Sequence, residues 1–487
     1  MALFKQWEQI AQLRSDERKK LQNKLLNKFV SHQLPYSPYY RELFAKNKID
    51  FSDIETVDDL KRIPFTTKAD LAPTEEDHTK PRKFILQPDE HLIKKYASKG
   101  TLAKIVWGKF MKQDVTRKLE WEYKPVHMHF TTGRTALPTP FVYSSRDLEL
   151  FKETAKRLFD VGGFTKDLMA LNGFPYSPHL AFWLMYYATV TVGMTNLATG
   201  GGKVMGTQKI IDAMERLKVN LAAFIPGYCY HLLREAVKQG RDFSNLKYLV
   251  FGGERVSEGF RQKVKELAAQ LKAPDVKVLA TYALTESKTA WIQCSETTGY
   301  HLMPDLEIIE VIDKDGNVKP NGSPGELVYT ALDWRGSAVV RYRTGDLCKG
   351  IEFGPCEVCG KTTPRIIPDI QRSSDVKEFH LTKIKGELVN LNEFYPLLSG
   401  VPEIEEWQVV IKKVNDDPND LDEIEVHVAP KQGANFEDVK TKLERAIHNE
   451  IFITANVKQE SMHKLLEKMG METELKEKRI VDNRPKT

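Results

Sequence analysis

The amino-acid sequence predicts an α/β fold with a largely parallel sheet, a small antiparallel β part and a separate small α+β unit. Strand-like and helix-like segments alternate from Phe130 to about Val256, which is typical of βαβ units around a parallel sheet. From Leu306 the predicted strands shorten and are separated by turns, and a strand–turn–strand–helix unit follows Arg372. Because single cores seldom grow past about 250–300 residues, the 487 residues predict more than one domain.

The predicted elements follow in chain order. The segment up to about Asp70 reads as amphipathic helical turns, which Pro64 interrupts before a Thr/Asp pattern typical of a helix N-cap. Residues 75–125 are polar and rich in Lys, which favours a surface insertion with some helix. The strands predicted in the alternating region are Leu168–Asn172, Val190–Leu197, Leu221–Ile225 and Tyr248–Phe251. Later elements are the strands Leu306–Ile312, Gly325–Thr330, Glu406–Ile411 and Glu423–Val428, and a helix at about Phe436–Ile451.

Composition excludes several classes of protein. The net charge is +5, and basic and acidic residues are interspersed, so no nucleic-acid partner is expected. The uncharged stretch Leu180–Ala198 approaches the length of a membrane span, but its Thr, Gly and Asn residues favour a buried helix that runs into a buried strand. The N-terminus has no apolar signal region, and five cysteines are too few for a disulfide framework, so we expect a cytoplasmic protein without a membrane span. The oligomeric state is not determined by these features.

The first two of four functional motifs contain glycines beside polar groups. Thr131-Thr132-Gly133-Arg134-Thr135, continuing to Thr139, follows a predicted strand, and its backbone N–H groups and hydroxyls suit phosphate oxygens. An ordinary surface turn is the alternative. Gly252-Gly253-Glu254 ends the strand Tyr248–Phe251, where two glycines let the backbone approach a flat ligand. Here a tight strand–helix turn is the alternative.

The third and fourth motifs combine aromatic and charged side chains. Thr281-Tyr282-Ala283-Leu284-Thr285-Glu286 follows the predicted strand Val276–Ala280, so its ring suits a base and its carboxylate suits Mg²⁺. The alternative is a helix N-cap at Thr285. In the segment Arg341–Asp346, two arginines alternate on a predicted strand before a Thr-Gly-Asp turn, an arrangement that suits an anionic, hydroxyl-rich ligand. A surface ladder of charges is the alternative.

The order of these motifs resembles the acyl-adenylate-forming (AMP-binding) superfamily, and within it the phenylacetate–coenzyme A ligase-like branch. The resemblance covers nearly the whole chain and includes the four motifs, the segments Leu60–Leu71 and Gly325–Thr330, Cys356–Arg365 and the tail Lys476–Arg484. It implies an N-terminal adenylation domain at 1–371 and a small, mobile C-terminal lid domain at 372–487. It further implies the use of ATP, Mg²⁺ and a carboxylic acid, with coenzyme A as the acyl acceptor.

The resemblance assigns roles to individual residues. Asp346 would bind the ribose hydroxyls with help from Arg372, and Tyr282 would stack on adenine against Gly252 and Gly253. The nucleotide-binding set it implies is completed by Thr131, Thr132, Gly133, Arg134, Thr135, Glu254, Thr281 and Thr285. Glu286 would hold Mg²⁺, and Lys476 would bridge the carboxylate and the α-phosphate during adenylation.

The chain departs from the family at several of these positions. Ala136 and Leu137 replace the last Gly and Lys of the phosphate loop, Arg134 stands where a Thr is usual, and Ser374 replaces the hinge Asp. These changes favour one alternative function, a nucleotide-binding homologue without catalysis. The retained Glu286, Asp346, Arg372 and Lys476 favour an active ligase.

A zinc site is a further expectation. Cys356-x-x-Cys359 has metal-ligand spacing, although by itself it is a half-site or a redox pair. The branch that the chain resembles has a Cys and a His at the places of Cys294 and His301, which would complete a Cys₃His structural zinc site. Unpaired structural thiols are the alternative, and Cys229 and Cys348 are predicted to be core or near-surface residues.

The substrate and the acceptor are less constrained by the sequence. The residues near the expected acyl pocket are Phe174, Tyr176, Phe224, Tyr228 and Trp291, which suit an aryl or other apolar acid and equally an ordinary core. The acyl acceptor is coenzyme A or, alternatively, a carrier protein, a protein thiol or an amine. The insertion at 75–125 is a candidate docking surface for such a partner.

Overall fold

The computed structural model of the protein describes residues 6–131, 138–372, 382–384, 387–389, 391–413, 422–451, 453–470 and 477–484. Its contacts divide the chain into two compact units. Unit 1 comprises Met1–Asn172, Tyr176–Ala198 and Leu279–Ile370, and unit 2 comprises Gly173–Pro175, Thr199–Val278 and Gln371–Thr487. This grouping does not test the predicted domain boundary between residues 371 and 372, which stays a prediction.

The N-terminal part of unit 1 is helical, as the sequence predicts up to Asp70. Its α-helices are α1 (Trp7–Ile10), α2 (Ser15–His32), α3 (Pro38–Lys46), α4 (Lys68–Leu71), α5 (Glu90–Tyr96), α6 (Lys99–Phe110) and α7 (Val115–Tyr123). Short 3₁₀ helices lie between them at Leu34–Tyr36, Phe51–Asp53, Val57–Arg62 and Lys80–Phe84. The predicted N-cap is confirmed at Thr67, whose N–H and hydroxyl both donate to Asp70 at 2.8 and 2.6 Å. The predicted insertion at 75–125 contains α5, α6 and α7.

The middle of the chain alternates strands and helices. Its elements are β1 (Pro125–Phe130), β2 (Pro140–Ser144), α8 (Ser145–Gly162), β3 (Met169–Asn172), α9 (Leu180–Val192), β4 (Thr195–Ala198), α10 (Gly202–Met205), α11 (Thr207–Arg216), β5 (Leu221–Phe224), α12 (Pro226–Lys238), β6 (Tyr248–Phe251), α13 (Glu258–Gln270), β7 (Lys277–Leu284) and β8 (Thr289–Ile292). In unit 1, β3 pairs in parallel with β4, and in unit 2, β5 pairs in parallel with β6. These pairs confirm the predicted α/β class with parallel pairing.

The strand predicted at Val190–Leu197 is wrong in its first half. Thr189–Val192 forms the last turn of α9, and the strand β4 begins only at Thr195. Gly193 ends the helix in the left-handed region at φ 73°, where its N–H donates to the Val190 carbonyl and the N–H of Met194 donates to that of Thr189. The alternation of Thr and Val at residues 189–192 suggested a strand. It does not mark one here, because these residues belong to α9, a helix that is apolar on most of its faces. No helix in the described part of the chain is long and apolar enough to cross a membrane.

The predicted antiparallel part of unit 1 is also confirmed. Its strands are β9 (Tyr300–His301), β10 (Glu307–Ile312), β11 (Gly325–Ala331), β12 (Tyr342–Cys348), β13 (Ile351–Glu352) and β14 (Arg365–Ile366), and β15 (Gln371–Arg372) follows at the start of the next stretch of unit 2. β10, β11 and β12 form consecutive antiparallel pairs, and β14 pairs with both β13 and β9.

The C-terminal part of unit 2 has the predicted two strands followed by a helix, while the turn predicted at 415–420 lies outside the described residues. Its elements are β16 (Thr382–Ile384), β17 (Glu387–Val389), a 3₁₀ helix at Leu391–Glu393, α14 (Phe394–Ser399), β18 (Ile404–Lys413), β19 (Asp422–Pro430), α15 (Phe436–Ile451), β20 (Asn456–Gln459), α16 (Met462–Met469) and β21 (Ile480–Asp482). The sheet order is β20-β19-β18-β21. Alternate residues of β18 and β19 and one face of α15 form a closed apolar core that includes Val409, Val426 and Leu443.

Candidate nucleotide-binding and metal sites

The first motif lies in the connection between two paired strands. β1 and β2 form an antiparallel hairpin, and Phe130 faces Pro140 at its end. Thr131 and Thr139 close the loop, because the N–H of Thr131 donates to the Thr139 carbonyl at 3.1 Å and the N–H of Thr139 donates to the Thr131 hydroxyl at 3.0 Å. The predicted phosphate ligands Thr132, Gly133, Arg134 and Thr135 lie outside the described residues. The strand expected before this motif is confirmed.

The second motif leaves the end of β6 in unit 2. The N–H of Gly252 donates to the Phe224 carbonyl at 3.3 Å, and Gly253 adopts φ 88°, a conformation that favours glycine. A Cβ atom at Gly253 would meet open space rather than protein. Glu254 accepts a hydrogen bond from the N–H of Glu477 at 3.1 Å. The residue that follows Lys476 in the chain therefore contacts the second motif, although Lys476 itself lies outside the described residues.

The third motif is part of a hairpin and does not precede a helix. β7 runs through Tyr282 to Leu284, and Thr285 and Glu286 lie in the turn before β8. The strand predicted to end at Ala280 is therefore too short, and the alternative of a helix N-cap at Thr285 is wrong. The hairpin forms because Thr289–Ile292 pairs back on residues 281–284. Residues 281–284 of the motif are thus held by backbone pairing with β8, whereas Thr285 and Glu286 lie in the turn.

Two hydrogen bonds join the third motif to the fourth. The Tyr282 hydroxyl donates to Asp346 at 2.7 Å, and the Tyr342 hydroxyl donates to Glu286 at 2.9 Å. Asp346 is 3% exposed and Glu286 is 9% exposed. The two carboxylates to which the family resemblance gives roles at the ribose and at Mg²⁺ therefore both accept hydrogen bonds from tyrosine hydroxyls within unit 1.

The Thr-Gly-Asp sequence of the fourth motif is a bulge within a strand and not the predicted turn. Residues 344–346 of β12 lie opposite the single residue Leu327 of β11, and Gly345 adopts φ 71° at this point. The Thr344 hydroxyl donates to the Leu327 carbonyl at 2.8 Å and accepts from the N–H of Asp346 at 3.0 Å. The bulge redirects the backbone and fixes Asp346 next to Tyr282.

The two arginines of the fourth motif have carboxylate partners inside unit 1. Arg341 contacts Glu310 at 3.2 Å, and Arg343 contacts Glu326 at 2.5 Å. Both guanidinium groups lie over the ring of Phe65, at 4.2 and 5.6 Å from its centroid. The predicted alternation of both arginines on one strand is wrong, because β12 begins only after Arg341, which has φ 47°. The arginines form neither a surface ladder of charges nor a free anion site, since Arg341 is buried and both guanidinium groups are paired with carboxylates.

The residues predicted near the acyl pocket fall in different environments. Phe224 and Tyr228 lie in unit 2 with their ring centroids 6.0 Å apart, and Phe174 is buried in the same unit. In unit 1, Tyr176 is 61% exposed. Trp291 is fully buried, its ring stacked 5.3 Å from that of Tyr282. Trp291 therefore supports one face of the tyrosine assigned to adenine. Of the remaining assigned residues, Arg372 is described only through its backbone in β15, and Ser374 lies outside the described residues.

Sequence reasoning missed a buried ion pair beside the third motif. Lys288 and Asp147 are both fully buried, with the ammonium 3.1 Å from the carboxylate. Asp147 also accepts from the backbone N–H groups of Arg335 and Gly336 at 2.8 and 2.6 Å. Burial lowers the pKa of Lys288. Removing one partner of such a buried pair typically lowers the free energy of unfolding by about 3–5 kcal/mol. In the sequence, the pair was indicated only by the position of Lys288, two residues after Glu286.

A second buried carboxyl group also escaped the sequence. Glu307 is 2% exposed and accepts hydrogen bonds from the indole N–H of Trp291 at 2.5 Å and from the N–H of Met303 at 2.8 Å. Burial raises the pKa of Glu307 to about 8, and these two hydrogen bonds oppose the rise. The stack of Tyr282 on Trp291 therefore rests on a carboxyl group whose pKa is raised by burial.

Four soft ligands meet in unit 1. The ligand atoms of Cys294, His301, Cys356 and Cys359 all lie within 4.8 Å of one another. The sulfur atoms of Cys294 and Cys356 are 3.6 Å apart, and the Cys359 sulfur is 3.7 Å from His301 Nε2. For a tetrahedral zinc ion with Zn–S bonds of about 2.3 Å, sulfur atoms are expected about 3.8 Å apart. The donor set and its spacing fit a Cys₃His site.

The local backbone and a neighbouring hydroxyl orient these ligands. His301 is on β9 opposite Arg365 of β14, and its Nδ1 is 2.9 Å from the Thr363 hydroxyl, which leaves Nε2 directed at the sulfur atoms. The Cys356–Cys359 turn is closed by Gly360, whose N–H donates to the Cys356 carbonyl at 2.8 Å. None of the five cysteines, all of which the structure describes, forms a disulfide bond. Cys229 and Cys348, predicted to be core or near-surface residues, are both buried.

The chain is similar in sequence to a known family of enzymes. Residues 56–332 match the AMP-binding enzyme family. A phenylacetate-coenzyme A ligase of Thermus thermophilus is 27% identical over 415 residues, which cover 84% of this chain and 80% of the relative. A phenylacetate-coenzyme A ligase of Pseudomonas putida is 25% identical over 407 residues, which cover 82% of this chain and 79% of the relative.

A solved structure has the same fold. The crystal structure of 2-hydroxyisobutyryl-CoA ligase in the postadenylation state, in complex with 2-HIB-AMP, superposes with a TM-score of 0.76. The match covers 98% of this chain and 91% of that chain at 19% sequence identity. The fold class predicted from the sequence is confirmed by this likeness.

Proposed function

The chain belongs to the AMP-binding enzyme family, and we propose that it activates an aryl or other apolar carboxylic acid with ATP and transfers the acyl group to coenzyme A. A substrate carboxylate oxygen attacks the α-phosphorus of ATP, and the bond to the bridging oxygen breaks with release of pyrophosphate. The thiolate of the acceptor then attacks the carbonyl carbon of the acyl-AMP, and AMP leaves with the bonding electron pair. The thiol proton is released to solvent.

The observation that carries this proposal is the hydrogen bond from Tyr282 to Asp346. Two motifs separated by 64 residues converge on one side of unit 1. An aromatic ring backed by Trp291 presents a flat surface for a purine, and the adjacent carboxylate accepts hydrogen bonds from vicinal hydroxyls. Asp346 is proposed as the ribose ligand, with Arg372 assisting.

Glu286 is the proposed Mg²⁺ ligand. Its buried carboxylate receives one hydrogen bond from Tyr342, which fixes one oxygen while the group keeps further lone pairs for a hard cation. Mg²⁺ bound there would neutralise charge on the phosphates. Tyr342 acts as the orienting partner, and it belongs to the same β12 strand as Asp346.

Lys476 is proposed as the cation of the adenylation step. The negative charge that gathers on the α-phosphate favours a positioned ammonium group in a site shielded from water. The contact between the N–H of Glu477 and Glu254 supports this role, since Glu254 belongs to the motif proposed to line the nucleotide. We also propose that the C-terminal domain begins at Arg372.

The Cys₃His cluster is proposed to hold a structural Zn²⁺ ion. Four protein ligands leave no open position, which is typical of structural rather than catalytic zinc. Zinc would join β9, the segment around Cys294 and the turn between β13 and β14, because these parts of unit 1 supply the ligands.

Pyrophosphate exchange measured across a panel of aryl, alkyl and amino acids tests the proposal. Exchange with at least one apolar acid is expected. The same acid should then form a thioester with coenzyme A, and it should form no ester with an equimolar analogue of coenzyme A in which a hydroxyl replaces the thiol. Absence of exchange with every acid, in protein that still binds AMP, would identify a nucleotide-binding homologue without catalysis. Exchange without a coenzyme A thioester would direct the search to carrier-protein or amine acceptors.

A further inference from the structure

Helix α6 in the insertion exposes an apolar stripe to solvent. Ala103, Val106, Trp107, Phe110 and Met111 follow the i, i+3, i+4, i+7, i+8 spacing that normally faces a protein core. The four large side chains of this stripe are nevertheless 67%, 64%, 76% and 52% exposed in chain order. A core-type pattern on an exposed face marks a surface that binds something else.

The side of α6 opposite the stripe packs against the protein, which leaves the stripe facing solvent. Gly108 is buried on the opposite side, where an added Cβ would lie 3.2 Å from Val115 of α7. α7 therefore packs closely on the Gly108 side of α6. The rings of Trp107 and Phe110 lie 5.8 Å apart and form one protruding aromatic pair.

Lysines flank the stripe, although Glu90 pairs with Lys94 and also interacts with Lys109. Residues 94–113 contain six lysines and no aspartate or glutamate, in a chain whose net charge is only +5. Lys99, Lys104, Lys109 and Lys112 are all exposed. On a helical projection at 100° per residue, Lys104 and Lys109 border the two edges of the stripe. The surface therefore combines an apolar, Trp-containing stripe with a rim of ammonium groups.

We propose that α6 docks the protein onto the surface of an anionic lipid membrane. α6 is apolar on its packed side as well, through Leu102 and Ile105, so only its exposed stripe is relevant here. Exposed Trp and Phe side chains with Lys beside them are typical of surfaces that lie in the lipid interface. Aromatic side chains and Lys are the residues that this interface favours. The large side chains of the stripe are more than half exposed, so they can enter a deformable lipid surface, which needs no preformed complementary pocket. The proposal is independent of the acid or the acceptor used at the nucleotide site.

Sedimentation of the full chain with sucrose-loaded vesicles tests this inference. One set contains phosphatidylcholine alone, and the other contains equal parts of phosphatidylcholine and phosphatidylglycerol. Binding is expected to the anionic vesicles at low ionic strength and to fall in about 1 M salt, where the screening length is about 3 Å. On bound protein, quenching of Trp fluorescence by brominated lipid should decrease in Trp107→Phe.

Paired variants separate the two components of the surface. Trp107→Glu/Phe110→Glu should remove binding, and Lys104→Gln/Lys109→Gln should lower partitioning onto anionic vesicles about 25-fold, given about fivefold per lysine near such a surface. Val318→Glu is the matched control, since Val318 is another exposed apolar residue and is 51% exposed. It should bind as wild type, and all variants should keep the wild-type melting temperature within about 2 °C.

Three results would overturn the inference. The first is a wild-type chain that does not sediment with anionic vesicles at low salt. The second is full binding by Trp107→Glu/Phe110→Glu. The third is a concentration-dependent dimer in light scattering that this double variant abolishes while vesicle binding is absent, because the stripe would then be a contact between two copies of the chain.

Discussion

The Tyr282 hydroxyl donates a hydrogen bond of 2.7 Å to the Asp346 carboxylate, and this bond connects the base-stacking and sugar-binding halves of the proposed nucleotide site. Asp346 reaches this position through the bulge of β12, which places residues 344–346 opposite Leu327. Tyr282 is supported from behind by Trp291 at 5.3 Å. The orientation of the ring and that of the carboxylate therefore depend on each other.

Asp346→Asn should weaken AMP binding by about 10- to 100-fold, because hydrogen bonds to a charged acceptor contribute about 1.5–3 kcal/mol. Tyr282→Phe keeps the ring and removes only the donor, so its effect should be smaller. Calorimetric titration with AMP measures both, and a double-mutant cycle should give a non-zero coupling energy. The exposed Asp58→Asn is a matched control, and unchanged AMP affinity in Asp346→Asn would reject the ribose assignment.

Lys476→Ala should abolish pyrophosphate exchange while sparing thioester formation from supplied acyl-AMP. The reason is that the ammonium group is proposed to act on the α-phosphate only in the first step. Rapid-quench assays of the two half-reactions measure each rate separately. Lys478→Ala, two residues along the chain, is the control and should retain exchange. Undiminished pyrophosphate exchange in Lys476→Ala would remove this residue from the mechanism.

Metal analysis of purified wild-type protein should find about one zinc ion per chain. Cys356→Ser should lose the metal and lower the melting temperature, since a structural zinc site contributes directly to folding free energy. Cys348→Ser is the control: Cys348 is buried outside the cluster, and this variant should keep its zinc. Retention of a full equivalent of zinc by Cys356→Ser would contradict the Cys₃His assignment.

Glu307→Gln should stabilise the protein at alkaline pH. Burial raises the pKa of Glu307 from 4.5 to about 8. In the wild type, the raised pKa therefore contributes fully to the free energy of unfolding below pH 4.5. This contribution falls as the pH rises to about 8, by up to about 1.4 kcal/mol per pH unit. Gln does not ionise, and its amide oxygen can accept the same bonds from Trp291 and Met303.

Thermal melts of wild type and Glu307→Gln from pH 4.5 to 9 check this expectation. The advantage of the variant in melting temperature should be smallest near pH 4.5, grow with pH and level off above about pH 8. Glu90→Gln replaces an exposed carboxylate and should show no such growth. A pH-independent difference for Glu307→Gln would mean that Glu307 is ionised in the folded protein.

Local sequence patterns correctly predicted features that lie within a single helix or strand. The paired strands of the C-terminal unit and the helix Phe436–Ile451 were predicted because alternation and helical spacing are properties of contiguous residues. The same patterns failed at Thr189–Val192 and at Gly345. In the first case, the helix α9 continued through the β-branched residues and ended only at the left-handed Gly193. In the second case, a bulge continued a strand through a turn-like sequence.

The sequence by itself determined the order of the motifs, the alternation of strands and helices and the spacing of the cysteines, because each of these is set along the chain. Only the tertiary structure decided which charges are already paired and which apolar faces stay exposed. It joined Tyr282 to Asp346, paired Lys288 with Asp147 and left the stripe of α6 in solvent. Burial and long-range pairing depend on residues tens to hundreds of positions apart, and no local pattern specifies them.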